Sequence, residues 1–526
     1  MCPCGERGDD GQKYIIGGFI LLNLTRYTKK LHLFIYCAVA IFYFWMAAQI
    51  PYTHDDWDWG LDIGLHQLIH ATVNSRYVGN FFEVIMTRSE FIKTLIMGMG
   101  FWGIPFALSR IASRLNTEST NSTQMCLFLI CNCLLLTMNR EMWRQTYGWV
   151  AGYANFGISA LFMLPWMRAL LNSCDSDTTI NHDTAPILLL FFCLSLSSQL
   201  FLENLAIFHL LVSIYICCIQ YCKTRRISPR YFIMLIGAVI GLFVMFSSSL
   251  YETLFSTGAA IDDYRQIPLL TGNGFNNGIY QIAISAIHLL NRLYSRNIIL
   301  SLFVLSMLTI LVLKNASHHS SRIIMISGNL ILCLLLLIGF SYDVYIDIHQ
   351  TNMYIFDALL SIGYFLMVLF EIFVLFRYDI TIRSKLCLIW FVPIIIIAPL
   401  VITTEIGSRL FFTTNIFVIL FSLILFKEAF RGKLTPCNKA IMVLIASITS
   451  FLLLFHGYIY WQIGDCKQER DRIIDIAIES NATEIILPSY PYSHYLHAPD
   501  PTGEIREEFF KRFYGISMDT KIIFAD

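Results

Sequence analysis

The chain has 526 residues, 56% of them hydrophobic and only 14% charged, and its 37 Lys and Arg balance its 37 Asp and Glu. Mean hydropathy is +0.61. A water-soluble protein of this length carries about 25% charged residues, so that class is excluded, and a formal net charge of zero offers no electrostatic footprint for nucleic acid.

Apolar runs near the ~20 residues that cross a bilayer recur along most of the chain, which predicts an all-α polytopic membrane protein. In chain order, residues 1–30 form a cytoplasmic N-terminal segment. Cys2 and Cys4 make a CxC pair, too few ligands for zinc. Most other cysteines, such as Cys126, Cys131 and Cys217, lie in apolar runs, where Cys serves as a small hydrophobe. No cleavable leader is expected, because Lys29 and Lys30 precede the first span and no small-residue cleavage site follows it. The short apolar stretch 14–24 reads as interfacial. Spans are predicted near 31–50, 91–112, 123–139, 148–171, 185–202, 204–222, 231–250, 297–313, 323–341, 352–376, 385–403, 409–426 and 438–461, about thirteen in all. No Walker A or GxGxxG pattern occurs, so nucleotide binding is not expected.

The positive-inside rule orients these spans. With a cytoplasmic N-terminus, Arg110, Arg225, Arg226, Arg230, Lys314, Arg383 and Lys433 fall on one side. The 51–90 loop, the 140–147 loop, the long 251–296 loop, the 404–408 turn and the 462–526 tail fall on the other. Topology does not require Arg76, Arg88, Arg140, Arg144, Arg265, Arg292 or Arg409 on that outer side, which makes them informative.

The first outer loop reads PYTHDDWDWGLDIGLHQLIHATVNSRYVGNFFE. Adjacent Asp55 and Asp56 cannot both stay ionised in apolar surroundings, and such pairs split their pKa values so that one is poised as a base. Leu61, Leu65, Leu68 and Ile69 have the spacing of a helix lying on the membrane surface. An acidic doublet with an interfacial anchor would also suit a purely solvated loop. The second outer loop holds Arg140, Trp143, Arg144, Tyr147, Trp149 and Tyr153. Aromatics with a few polar groups can stack sugar rings and bond their hydroxyls; an aromatic belt accounts for the rings but not the arginines. Glu203, between two apolar spans with almost no loop, is expected to face a protein cavity, or else to sit favourably at a helix N-terminus. The fourth outer loop adds Glu252, Asp262, Asp263 and Arg265. Glu405 and Arg409 stand at the start of a late span, where Arg can grip a lipid phosphate through its fork or merely snorkel. The tail predicts a helix, a strand at 484–487 ended by Pro488, and an amphipathic helix in EEFFKRFYGI, together a small extracytoplasmic α/β domain capping the membrane sites.

An outer-face transferase is cut off from ATP and sugar nucleotides, so its activated donor must arrive in the membrane. The acidic pair in the first outer loop, followed by a surface helix, resembles the GT-C superfamily of lipid-phosphate-sugar-dependent glycosyltransferases. HDDWDWG and SRYVGN within 54–80, WVAGYANFG at 149–157, LFLENLAIF at 200–208, TRRISPR at 224–230, EIGSRLFF at 405–412 and IILPSYPY in the tail are similar to bacterial serotype-converting O-antigen glucosyltransferases. The resemblance implies a bacterial inner-membrane enzyme that moves a hexose, glucose in that family, from a polyprenyl phosphate to a surface polysaccharide such as O-antigen. It implies Asp55 or Asp56 as the base, with Asp56 preferred. Arg409, Arg265, Arg140, Arg76, Glu203, Trp143, Tyr147 and Asn80 would hold the donor phosphate and the sugars. Some GT-C members use a divalent metal; no His and carboxylate set here has persuasive spacing, so none is expected. An O-antigen polymerase or ligase and a lipid flippase or transporter are the alternatives.

Overall fold

The computed structural model describes residues 10–71, 74–115, 121–175, 183–259, 266–267, 270, 275–294, 297–315, 319–345, 351–403, 406–431 and 439–525. Among them, ten helices are long and apolar enough to cross a membrane. Their outward faces carry Phe34, Ile41, Phe91, Leu330, Phe370 and Leu454, all exposed. Apolar surface on this scale is incompatible with water, and the chain is a multi-pass helical membrane protein. The other three predicted spans are helical but do not meet that length on their own. Asn121–Leu136 and Ala185–Gln199 are shorter, and Pro229–Met245 bends by 71° into Ser249–Thr257. The bend falls on a run of serines, where the Ser247 hydroxyl donates back to the Val244 carbonyl at 2.8 Å instead of extending the helix.

The Phe412–Ala429 helix is the hub, with all of its residues buried. Tyr147, Phe208 and Trp390 pack onto Phe412, Phe417 and Phe421 with ring centroids 5.8, 5.8 and 4.7 Å apart. A helix apolar on every side belongs inside a bundle.

Several segments differ from the sequence reading. The 14–24 stretch is not a separate interfacial piece but continues the Asp10–Gln49 helix. The long 251–296 loop contains an amphipathic helix, Phe275–Tyr294. The last span and the first tail helix are one element, Lys439–Glu479. At 1.5 Å per residue this rod is about 60 Å long, twice the ~30 Å hydrocarbon core, so it carries the tail well beyond the membrane. The tail then forms Glu484–Pro488 and Lys521–Ala525, paired in parallel with Ile485 opposite Ile522. Helix Glu504–Tyr514 lies between them in the chain. It begins on Glu504 and Glu507, ends on Lys511 and Arg512, and stops at Gly515, whose φ of 74° is the left-handed conformation that closes a helix cheaply only with glycine. The second strand, Lys521–Ala525, is not among the elements expected from the sequence.

Candidate functional site

Pro51 prevents the first span from continuing, and the chain turns back through Thr53 and His54. His54 adopts a φ of 52°. The turn is held by Asp56, whose Oδ2 accepts from the Thr53 amide at 2.8 Å. Its Oδ1 accepts from the Ala151 amide, also at 2.8 Å. Ala151 lies in the first turn of the helical stretch that starts at Val150, where amides lack helical partners. The N-cap residue there is Trp149, whose side chain makes no cap bond. Asp56 therefore caps that helix from across the fold and ties the first loop to the second. It is 0% exposed, with both carboxylate oxygens engaged.

Asp55 faces the other way. Its Oδ1 meets His54 Nδ1 at 2.8 Å and Arg506 Nη2 at 2.5 Å. Oδ1 takes both of these contacts, and the side chain is 29% exposed. The two neighbours diverge in acidity as the sequence suggests. Burial pushes Asp56 up to about 8, against the pull of its two amides. Burial acts on Asp55 too, but His54, Arg506 and Arg409 outweigh it and hold that carboxyl at about 2. Asp58, 3.4 Å from Arg506 Nη1, is raised to about 7 by burial and by the charge of Asp55. Glu83 is buried and pushed far up by burial and by Asp55, Asp56 and Asp58; its Oε2 accepts from Asn155 Nδ2 at 3.1 Å. Asn155 sits in a π-helical turn, Tyr153–Gly157, a local distortion common at functional sites.

Beside this acidic cluster opens a cavity of about 210 Å³. Its polar edge is Arg76, Glu203, Tyr251 and Arg409, and its walls are apolar, with Phe156, Phe246 and Leu400 among them. Arg76 Nη2 reaches Glu203 Oε2 at 2.8 Å, with Nε 3.3 and 3.2 Å from the two carboxylate oxygens. The Tyr251 hydroxyl donates to Glu203 as well. The bend after Met245 is what returns Tyr251, Leu254 and Phe255 to the cavity. Arg409 adjoins both regions. It lines the cavity, its guanidinium carbon lies 5.4 Å from the Trp149 ring and 5.7 Å from Phe156, and its charge acts on Asp55.

The remaining sequence candidates lie elsewhere. Trp143 and Tyr147 are each 1% exposed and cannot stack sugar. They belong to a core column with Phe101, at centroid spacings of 4.8 and 4.4 Å, and Trp143 Nε1 donates to the Tyr460 hydroxyl at 2.7 Å. Asn80 is buried, donating to Asn74 Oδ1 at 3.0 Å. Arg140 is exposed and reaches over the Tyr495 ring at 5.7 Å. Arg88 clasps the Trp59 and Leu61 carbonyls, and Arg144 pairs with Glu141 at 2.8 Å. Arg265, Asp262, Asp263 and Glu405 lie outside the described residues. Among the described residues, no three His, Cys, Asp or Glu side chains are grouped so as to hold a metal ion.

Arg506 and His497 were not signalled by the sequence. Both come from the tail, more than 400 positions beyond Asp55. His497 lies 5.0 Å from His54 and 4.3 Å from Trp149, ring to ring. At Gly148 the second loop touches the backbone of Tyr495 so closely that an added Cβ would fall 1.9 Å from its carbonyl oxygen. Compared with family models, curated proteins and solved structures, the chain matches none.

Proposed function

We propose that this protein is a membrane glycosyltransferase that moves a hexosyl group from a polyprenyl-phosphate donor to a surface polysaccharide, working on the extracytoplasmic face of a bacterial inner membrane. The observation that carries the reading is the position of Arg409, shared between an apolar cavity and an ionised, reachable carboxylate. Apolar walls suit an isoprenoid chain. A guanidinium at their edge suits the phosphate that joins chain to sugar.

In this reading Asp55 is the base and Asp56 is the bracket that sets it in place. The sequence-based preference for Asp56 gives way because its oxygens are both engaged and sealed from any acceptor. The acceptor hydroxyl gives its proton to Asp55 Oδ2 as its oxygen bonds to the anomeric carbon. The bond from that carbon to the phosphate oxygen breaks, and its electron pair leaves with the lipid phosphate. Arg409 stabilises the charge growing there. A single displacement inverts the anomeric centre.

A transporter would be expected to place ionisable groups near the midplane. Glu371 is buried inside a spanning helix beside Asn329, which is the feature that favours that alternative. It lies about one turn from the end of that helix at Leu375, toward the membrane edge rather than the middle. Mass spectrometry of surface glycan from strains with and without the protein separates the readings. Glycosyltransfer adds branch hexoses, polymerase or ligase activity changes chain length or attachment, and transport leaves the covalent structure unaltered. Glycan without an added hexose overturns the proposal.

A further inference from the structure

We infer that Arg506 is a positioning residue for Asp55, so that the C-terminal segment completes the reaction site instead of merely covering it. The inference rests on the assignment of Asp55 as the base. Arg506 spans two carboxylates of the first loop with one guanidinium, Nη2 on Asp55 at 2.5 Å and Nη1 on Asp58 at 3.4 Å. The planar fork fixes both the place and the orientation of Oδ1, and so directs Oδ2. A lysine, with a point charge, can supply the first but not the second.

The helix that presents Arg506 is itself held against the same loop. Phe510 meets Trp57 edge-on at 5.2 Å, and Phe513 meets Tyr52 at 5.3 Å. Gly60 lies so close to Phe513 that a Cβ there would come within 2.3 Å of its ring. Behind the helix, Arg470 anchors the tail to the long rod, pairing with Asp500 at 2.5 Å and donating to the Pro488 carbonyl at 2.7 Å. His497 of the same segment borders His54, the other partner of Asp55. Of the two groups seen on Asp55 Oδ1, one is the adjacent His54 and the other is Arg506, a side chain delivered by the tail.

The test uses the full-length protein in lipid vesicles with a polyprenyl-phosphate hexose donor. Arg506→Gln is expected to lower kcat about 10- to 100-fold while leaving the donor KM within about twofold, since a charge-assisted partner of the base is lost and the donor cavity is not. Arg506→Lys is expected to recover part of kcat. The groups facing Asp55 are His54, Arg506, Arg409, Asp56, Asp58, Glu83 and His497. Of the positive partners only Arg506 is removed, so the acid limb of kcat is expected to move to higher pH in Arg506→Gln. Arg512→Gln, an exposed charge nearly two turns further along the helix, is the control and should leave kcat and the pH profile unchanged. Wild-type kcat in Arg506→Gln overturns the inference. So does a loss that Arg506→Lys does not relieve, with an unshifted acid limb, because that outcome marks a purely structural helix. If Asp55→Asn retains wild-type transfer, the assignment of the base fails first, and this inference fails with it.

Discussion

Replacing Asp55 by Asn tests the central chemical assignment while leaving the fold readable. The carboxyl is held at about 2, below the 3.8 of an unperturbed aspartate. A group depressed in the folded state contributes stability above its unfolded pKa, and that contribution is lost as pH falls through the folded value. The interval is slightly under two units, and at 1.36 kcal/mol per unit it sets an upper bound of about 2 kcal/mol, reduced further by the 29% exposure of the side chain. That loss is too small to unfold a bundle of this size, so Asp55→Asn should elute and melt close to wild type. Activity should change far more. Removing a general base costs about 10²–10⁴-fold in kcat. The assay is single-turnover release of lipid phosphate in reconstituted vesicles, with thermal melts from pH 2 to 8. The stability gap between wild type and variant should close below about pH 4. Turnover within threefold of wild type would falsify the assignment, whatever the melts show.

Four other outcomes follow from the same geometry. Burial lifts Asp56 to about 8, so the folded state binds its proton more tightly than the unfolded chain does; its share of the stability should fall by up to about 1.36 kcal/mol per pH unit between about pH 4 and 8, and the slope in Asp56→Asn melts should be shallower by that amount. Trp143→Ala should cost about 3–5 kcal/mol of stability, with the surviving folded fraction retaining acceptor KM; an acceptor KM defect at unchanged stability would restore the sugar-stacking role. Arg409→Ala is expected to reduce kcat/KM about 10²–10³-fold with partial recovery in Arg409→Lys, and equal transfer by all three proteins would remove it from the phosphate site. Gly148→Ala places a methyl against the Tyr495 carbonyl, so limited proteolysis should cut the tail faster, by an amount matching roughly 1–3 kcal/mol of overpacking; an unchanged digest would show that the contact is not tight.

How much was written in the sequence varies with the range of the interaction involved. Local pattern was sufficient for the membrane class, for most spans, for the helical character of Asp62–His70 and for the first tail strand, because each depends on the composition or periodicity of a short window. The same windows flagged Asp55, Asp56, Arg76, Glu203 and Arg409 as ionisable groups beside a bilayer, where such groups are costly. Composition could not say which way each one points. Trp143 and Tyr147 have the residue types of a sugar platform, and only the packing of distant helices seals them in the core. Asp55 and Asp56 are consecutive and chemically identical, and they part only because the Ala151 amide lies on one side and Arg506 on the other. Partners separated by about a hundred and by more than four hundred positions leave no periodic trace. Their meeting is fixed by the tertiary fold, where an amide without a helical acceptor and a guanidinium on a docked helix each claim the nearer carboxylate.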